Sequence, residues 1–338
     1  MKKIVVIGGG TGVATLLRGL KEEKVDLTAV VSMADSGGST GRLRDEFGVL
    51  PTGDLRNCLV ALANDPVQEW LHRFRFDEGN LEYNEVGRHN LGNLILTALT
   101  HRYHGDFMKA VRADQKILRI HPDNRVLPVT LANIQLKITY GDGTEVVGED
   151  KIDKAERDRF IPIRTISLLP QAYIYREASK AIQEADLIVV GPGSLYTSII
   201  PALLTRDPDA DKGYFLRESQ GKLAMVINVM TEPGQTSGKR GGRWQAGEYI
   251  YQAGNFVYNI EQYAGRKFHY IICNTTRPSQ ELCSRYNAEG SYFVEPPDVK
   301  DGRYGRFKGR FILEDLVSQN EFYRHDPNKL ASVIMGLL

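Results

Sequence analysis

The alternation of apolar and polar segments predicts strands and helices in turn. Residues 4–7 form a short apolar, β-branched run, which is typical of a strand buried on both faces. Apolar positions within 13–20 then recur at helical spacing, and 27–31 reads as a second strand. A strand, loop, helix and strand in this order predict the beginning of a doubly wound parallel sheet.

The alternation of predicted strands and helices resumes after a β-rich stretch in the middle of the chain. Helices are expected at 54–63, 70–76, 173–184 and 328–338, the second of them packed on the core by its aromatic residues. Further strands are expected at 187–190, 223–229 and 268–273. Between them, 116–170 holds short strand-like runs and a hairpin turn at 141–143. We therefore predict one α/β domain over 1–338, with a mainly parallel sheet and a β-rich insertion at 116–170.

Charge and cysteine content exclude several classes of protein. The 338 residues include 43 Lys and Arg against 42 Asp and Glu, a net charge of +1, which argues against a nucleic-acid partner. Three widely spaced cysteines do not fit a disulfide framework or a zinc ribbon. The apolar runs are too short for a signal peptide or a membrane span, which favours a cytoplasmic protein. The oligomeric state stays open, a homo-oligomer included.

Glycine-rich and polar segments follow several of the predicted strands. The carboxyl ends of parallel strands share one edge of the sheet, and ligands bind in the crevice beyond that edge. The segments 8–12, 32–42, 191–198 and 228–235 are therefore expected to converge on one ligand.

The first segment suits a phosphate. Glycines let the backbone approach an anion, and the following helix directs free amides towards it. The predicted contacts are Gly9, Gly10, Thr11 and Gly12. The segment lacks a Walker lysine and breaks the G-x-G-x-x-G frame at Val13 or Thr15, so an NAD(P) oxidoreductase is the least favoured function. The alternative is a tight turn without a ligand.

The second segment combines glycines, hydroxyls and arginine, a composition that forms phosphate-binding backbone nests. Its predicted ligand contacts are Asp35, Ser36, Gly37, Gly38, Ser39 and Arg42. Asp35 is also a candidate for a ribose hydroxyl or for a metal-bound water. The alternative is a flexible loop with a solvated basic face.

The third segment resembles another phosphate-binding helix start, with Gly191, Gly193 and Ser194 as contacts. It is not a nucleophile elbow, because Tyr196 stands where that motif needs glycine. Ser194 is therefore expected to donate a hydrogen bond rather than to attack, or simply to cap a helix. Asn228, near the end of another strand, is expected to face the same ligand.

Two predicted helix starts carry further candidates. Asp54 and Asn57 lie on the first turn of one helix, where Asp54 is a candidate catalytic acid and, with Asp35, a candidate metal ligand. The alternative for Asp54 is an ordinary helix cap. At the next helix start, His89 and Asn90 are candidates for phosphate contact, with a structural hydrogen bond as the alternative for His89.

Taken together, these motifs are similar to those of a known family. The segments concerned are 7–12, 33–44, 53–57, 89–93, 191–199 and 324–331. They resemble the gluconeogenesis factor family, which belongs to the superfamily of the 2-phospho-L-lactate transferases, called CofD-like. The resemblance covers nearly the whole chain and implies a Rossmann-like three-layer α/β fold with a β-rich insertion. It also implies that Tyr286 and Arg324 contact a nucleotide, with core packing and a surface ion pair as the respective alternatives.

The resemblance implies two alternative functions. Gluconeogenesis factors bind UDP-sugars such as UDP-N-acetylglucosamine and support cell shape on gluconeogenic carbon sources, without an established reaction. The superfamily's transferases use magnesium to move a phospholactyl group from a guanosine-diphosphate carrier to a deazaflavin alcohol. The motifs match the first branch better, which favours a nucleotide-sugar sensor over a magnesium-dependent transferase. Gln235, where the family commonly has glutamate, and 237–251 depart from the family pattern.

Overall fold

The computed structural model describes residues 1–75, 89–154, 161–210, 213–238, 249–298, 307, 309–319 and 323–338. Its helices are α1 (Gly10–Leu20), α2 (Gly38–Phe47), α3 (Gly53–Leu62), α4 (Pro66–Arg73), α5 (Leu91–Arg102), α6 (Phe107–Ile117), α7 (Asp150–Lys154), α8 (Arg176–Gln183), α9 (Ile200–Leu203), α10 (Ala253–Ala264), α11 (Gln280–Ala288) and α12 (Pro327–Met335). A π-helical turn, Leu195–Ile199, precedes α9.

The strands are β1 (Lys2–Gly8), β2 (Val25–Val31), β3 (Asn124–Pro128), β4 (Gln135–Tyr140), β5 (Glu145–Val147), β6 (Ile163–Leu169), β7 (Leu187–Val190), β8 (Lys222–Val226), β9 (Ser237–Gly238), β10 (Tyr249–Ile250), β11 (Tyr270–Asn274), β12 (Phe311–Glu314), β13 (Val317–Gln319) and β14 (Tyr323–His325). Seven of them form the central sheet in the order β12-β11-β8-β7-β1-β2-β3. All neighbours in this sheet pair in parallel, which confirms the predicted α/β fold.

The centre of the sheet is the strand pair β1 and β7. Ile4 pairs with Leu27 of β2 on one side and with Leu187 of β7 on the other, and all three side chains are fully buried. Helices α1, α3 and α12 pack together, whereas α9 and the π-helical turn pack with α10. Parallel crossovers are right-handed, and the chain leaves β1 and β7 in opposite directions, so these two groups of helices cover opposite faces. This produces the three layers and the continuous burial of β1.

The β-rich segment contains two different structures. Strand β3 lies at the edge of the central sheet, where it pairs with β2. Strands β4, β5 and β6 instead form a separate three-stranded antiparallel sheet. The expected turn between β4 and β5 contains Gly143 with φ of +90°, a value that favours glycine. Residues of both sheets belong to one hydrophobic core.

Helix α4 departs from the prediction that its aromatic residues pack on the core. Trp70 is 60% exposed and contacts Phe74, with ring centroids 5.3 Å apart. His72 is the buried residue of this helix, and it forms an ion pair with Asp114 of α6. A polar pair, rather than the aromatic residues, therefore fixes α4 against its neighbour. The rest of the predicted aromatic stretch, residue 76, lies outside the described part of the chain.

No helix in the described ranges combines the length and apolar character needed to cross a bilayer.

Candidate nucleotide-binding site

A cleft of about 480 Å³ opens where the strand order reverses, between the carboxyl ends of β1 and β7. Open α/β sheets bind ligands at this position. We call it the switch-point cleft, and it is lined by residues 9–12, Thr15, Pro192, Gly193, Ser194, Ser198, residues 228–232, Tyr286, Ser291, Tyr323, Arg324 and His325. Three of the four segments expected to converge, 8–12, 191–198 and 228–235, contribute to this lining.

The first glycine turn is packed too tightly for larger residues. A Cβ atom on Gly12 would lie 2.5 Å from the carbonyl oxygen of Pro192, and Gly10 has φ of +69°. Helix α1 begins here with no side-chain cap and no acidic residue in its first turn. The amide of Gly10 at this helix start is bound by Asp54 of α3, and the positive end of α1 faces the cleft, a position that favours an anion.

The second glycine turn is held by a side-chain amide. Asn228 Nδ2 donates to Gly193 O at 2.9 Å, and Gly193 N donates to Asn228 Oδ1 at 3.1 Å. Both polar ends of Asn228 are thus engaged by the backbone of Gly193, so Asn228 positions the turn. The hydroxyl of Ser194 lies 2.7 Å from Glu232 Oε2 and 3.1 Å from Gln235 Oε1. Ser194 therefore links the turn to 228–235.

Carboxylates gather beneath the first turn. Burial first, and then the negative charges of Asp35 and Glu149, raise the pKa of Asp54 to about 7, although an amide hydrogen bond from Gly10 opposes this shift. Burial likewise raises the pKa of Asp35, against hydrogen bonds from Gly37 and Thr40. Neighbouring acids that repel one another hold protons near neutral pH. Asp54 is therefore able to bind or release a proton there.

The two aspartates are also the residues suited to magnesium. The described residues contain no group of three or more His, Cys, Asp or Glu side chains arranged to hold a metal ion. Magnesium, however, usually takes one or two carboxylates and completes its shell with substrate phosphates and water. Asp35 and Asp54 provide two such carboxylates; burial raises the pKa of both, and for Asp54 the charges of Asp35 and Glu149 add to it, a repulsion that a cation would relieve. When bound, magnesium would neutralise phosphate charge and polarise a phosphoryl oxygen.

Comparison with known proteins identifies the family. The family model described as 2-phospho-L-lactate transferase CofD matches residues 4–307. The chain belongs to the CofD family. A relative from Thermotoga maritima is 39% identical over 98% of each chain. A relative from Bacillus subtilis named gluconeogenesis factor is 37% identical over 99% of this chain and 98% of its own.

Solved structures agree with this assignment. A crystal structure of a protein from Bacillus halodurans superimposes with a TM-score of 0.85 and 35% identity, covering 99% of each chain. The family resemblance of the sequence motifs is therefore confirmed, and within the CofD family this chain groups with the gluconeogenesis factors.

In this CofD-family chain, the fourth predicted segment, 32–42, does not line the switch-point cleft. Ser36, Gly38 and Arg42 line a different pocket of about 440 Å³, between α2 and the β-rich sheet. The segment approaches the cleft at Ser32, whose amide donates to Gly8 O at 2.8 Å, and at Asp35 and Thr40, which lie against Gly53. A Cβ atom on Gly53 would lie 2.3 Å from Asp35 Oδ2, and the next residue, Asp54, contacts Gly9. The expected single site is thus two adjoining regions.

Several other predicted contacts are occupied by protein neighbours. Ser39 Oγ lies 3.0 Å from His89 Nδ1, where burial and the charge of Arg42 lower the pKa of His89. Gly37 N donates to Asp35 Oδ1 at 2.9 Å. Asn57 Oδ1 accepts a hydrogen bond from Arg56 at 2.6 Å.

Asn90 caps α5, where its Oδ1 accepts from Gly92 N at 2.9 Å, and its Nδ2 donates to Arg73 O at 3.1 Å. Asp54 and Thr52 form no side-chain cap on α3, so the capping alternative for Asp54 was wrong. The carboxylate of Asp54 instead accepts the amide of Gly10.

The far rim of the cleft combines aromatic and basic side chains. Tyr286 and Arg324 were predicted to contact a nucleotide, and both line the cleft. The hydroxyl of Tyr286 accepts a hydrogen bond from Tyr323 N at 3.2 Å. Gly191 has φ of +79° and forms the turn behind the lining residues. Arg324 is exposed and lies on the solvent side of the cleft.

Two residues of the site, His325 and Glu149, were not predicted from the sequence. His325 is buried next to the exposed Arg324 on β14 and also lines the cleft, and burial lowers its pKa to about 4. Its position within the motif 324–331 was the available signal. Glu149 comes from the β-rich segment, and its position against Asp54 depends on tertiary contacts alone. Of the departures from the family pattern, Gln235 contacts Ser194, whereas 239–248 lie outside the described residues.

Proposed function

We propose that this protein binds a UDP-sugar in the switch-point cleft and acts in the cytoplasm as a regulator of cell shape during gluconeogenic growth. The observation that carries the proposal is the meeting of two glycine turns at the start of α1. This geometry suits a diphosphate, because amides and the positive helix end face it. The name gluconeogenesis factor, carried by relatives, supports the regulatory role.

The proposed ligand would lie across the cleft. Its diphosphate would contact the amides at the start of α1, with Asp35 and Asp54 sharing a magnesium ion with it. Its base and ribose would lie against Tyr286, Arg324 and His325 on the far rim, all of which line the same cleft. An aromatic ring provides stacking area, and an arginine provides charge-assisted hydrogen bonds.

Calorimetry with UDP-N-acetylglucosamine, with and without magnesium, tests this proposal. We expect saturable heat, and a loss of about tenfold in affinity for Arg324→Gln, because a charge-assisted contact is worth about 1.5 kcal/mol or more. Arg176→Gln is the matched control, since Arg176 is exposed and lies outside the cleft. The absence of heat and of a thermal shift at millimolar ligand would refute the proposal.

A second candidate function is a magnesium-dependent transferase that uses a nucleotide-diphosphate donor. The observation that favours it is the pKa of Asp54, about 7, beside a second aspartate and the phosphate-binding turn. An acid with such a pKa is able to take up a proton from an acceptor hydroxyl at neutral pH. Product formation from the donor should then be abolished by Asp54→Asn. Unchanged turnover in that variant would exclude this role for Asp54.

A further inference from the structure

A second pocket is separate from the switch-point cleft. It has a volume of about 440 Å³ and lies between α2 and the β-rich sheet, and we call it the insertion pocket. No described residue lines both this pocket and the switch-point cleft. The charged and amide side chains that line it come from two parts of the chain: Arg42, Arg44 and Asp45 from α2, and Gln135, Asp150 and Lys151 from the β-rich segment.

Arg44 has a hydrogen-bond donor that its neighbours do not use. Its side chain is only 10% exposed, and its Nε donates to Asp45 Oδ1 at 3.1 Å. Nη1 of Arg44 is buried and has no hydrogen-bond partner among the described residues. Buried charged groups normally have partners, because leaving one unpaired is costly. Since Arg44 lines the insertion pocket, an oxygen atom of a ligand bound there would supply the missing acceptor.

Two further cations make this pocket favourable for an anion. Lys151 is exposed and forms no ion pair with another described residue, and Arg42 adds a second guanidinium group. Asp45 and Asp150 also line the pocket, so three cations face two carboxylates and positive charge is in excess. Asp45 is largely solvated and already paired with Arg44. Guanidinium and ammonium groups in this combination are typical of sites that bind phosphate groups.

The start of α2 opens to the same pocket. Gly38 is the first residue of α2 and lines the pocket, and a Cβ atom there would have no other atom within 4 Å. The helix has no side-chain cap and no acidic residue in its first turn. The preceding amides of Ser36 and Gly37 are bound by carboxylates. An anion in the pocket would therefore meet the positive end of α2 itself.

The remaining polar groups indicate what carries the anion. Gln135 provides both a donor and an acceptor, and the carboxylate of Asp150 accepts a hydrogen bond from Ser36 Oγ at 3.3 Å. A carboxylate and an amide bind the hydroxyl groups of a ligand, whereas a second phosphate would be repelled by Asp150. The volume of about 440 Å³ is typical of sites for small organic molecules rather than for a single inorganic ion.

We propose that the insertion pocket binds a small phosphomonoester that carries hydroxyl groups. Arg42, Arg44 and Lys151 hold its phosphate, and Gln135 and Asp150 bind its hydroxyls. This site goes beyond the proposed nucleotide site and does not depend on it, because no described residue lines both cavities. It also accounts for the phosphate-binding composition of 36–42, a segment that does not line the switch-point cleft.

Calorimetry with three probes tests the proposal. Glucose 6-phosphate has both a phosphate and hydroxyls, glucose lacks the charge, and inorganic phosphate lacks the hydroxyls. We expect saturable heat with glucose 6-phosphate, about tenfold weaker binding of inorganic phosphate, and no binding of glucose, since two hydrogen bonds to hydroxyls contribute about tenfold. An excess of UDP should not displace glucose 6-phosphate, because UDP is expected in the other cavity.

Two variants locate the bound phosphate. Arg44→Gln should weaken binding of glucose 6-phosphate about tenfold, because it removes a charge-assisted hydrogen bond, and should leave UDP affinity unchanged. Lys151→Gln changes an exposed residue, so it keeps the test valid even if Arg44→Gln does not fold. It should weaken binding about threefold. Lys24→Gln is the matched control, since Lys24 is also exposed and lies outside both cavities. Thermal unfolding verifies that each variant is folded.

Each outcome supports or overturns the site. Weaker binding of glucose 6-phosphate by Arg44→Gln and Lys151→Gln, but not by Lys24→Gln, supports it. The site is overturned if neither glucose 6-phosphate nor inorganic phosphate binds at millimolar concentration, or if UDP displaces the ester and the two pocket variants bind it normally. Equally tight binding of inorganic phosphate would overturn the recognition of hydroxyls. Failure of UDP to bind would refute the proposed function and leave the insertion pocket unaffected.

Discussion

A methyl group on Gly9 would lie 2.2 Å from Oδ2 of Asp54. The turn that precedes α1 and the first turn of α3 therefore touch without room for a side chain between them. Since Gly10 also donates its amide to Asp54, the phosphate-binding turn and the titrating acid form one unit. A substitution in the turn should therefore affect Asp54, and a substitution of Asp54 should affect the turn.

Gly9→Ala should destabilise the protein by about 1–3 kcal/mol, because inserting a methyl group into a closely packed site forces the neighbours apart. Urea unfolding measures this loss, and calorimetry should show weaker UDP binding. Gly336→Ala is the control, since a Cβ atom there would make only ordinary contacts at 3.4 Å or more. Partial recovery of stability in Gly9→Ala combined with Asp54→Ala would identify the carboxylate as the source. Equal stability of Gly9→Ala and the unmodified protein would contradict the assigned contact.

Asp54→Asn should stabilise the protein more at pH 8 than at pH 5. The folded-state pKa of Asp54, about 7, lies above its ordinary value of 3.8, so the stability it contributes is complete below pH 3.8 and is lost as pH rises through 7. An amide does not ionise, so the variant avoids the cost of a buried negative charge at high pH. We expect its gain in unfolding free energy over the unmodified protein to be about 2 kcal/mol larger at pH 8 than at pH 5.

Urea unfolding at both pH values tests the change at Asp54. The control is Glu22→Gln, which alters an exposed acid outside the cleft. A gain for Asp54→Asn that does not depend on pH would show that the acid does not titrate with a raised pKa.

His325 should make the protein sensitive to acid. Burial lowers its pKa from 6.5 to about 4, so the unfolded chain binds a proton more readily, and stability is lost as pH falls from 6.5 towards 4. His325→Leu should therefore lose less stability than the unmodified protein between pH 7 and pH 4.5, by about 1–2 kcal/mol. Denaturant unfolding at both pH values measures the difference. The exposed His121, changed to Leu, should not alter this dependence.

The buried pair between α4 and α6 should be costly to break. Nε2 of His72 lies 2.8 Å from Asp114 Oδ1, and Nδ1 lies 2.7 Å from Gln68 O, so both ring nitrogens face acceptors. Burial alone would lower the pKa of His72, but the hydrogen bond and charge of Asp114 raise it. Asp114→Asn leaves that charge unpaired, and we expect a loss of about 3 kcal/mol in urea unfolding.

A double variant separates the ion pair from simple packing. His72→Leu combined with Asp114→Leu removes both charges, and replacing a buried ion pair by apolar residues is often nearly neutral. We therefore expect the double variant to be more stable than Asp114→Asn. If it were the less stable of the two, the cost of Asp114→Asn could not be assigned to an unpaired charge.

The sequence by itself determined the α/β sheet and the glycine turns. A β-branched run such as 4–7 is stable only when both faces are covered, and helical periodicity directly after it gives the crossover. The sharp turns at Gly10 and Gly191 require backbone angles that favour glycine, so composition alone marked them. These features depend on interactions between residues that are close in the chain, and such interactions can be inferred from the sequence.

Tertiary structure alone decided which groups share a cavity. The loop 32–42 follows a central strand, yet Ser36 and Arg42 face a pocket against the β-rich sheet, because Glu149 and Asp150 pack there. Trp70 was expected inside and lies outside, since the His72–Asp114 pair orients its helix. Burial and charge act through space, between residues far apart in sequence. A local pattern of hydrophobic and polar residues therefore does not predict which distant residues come into contact.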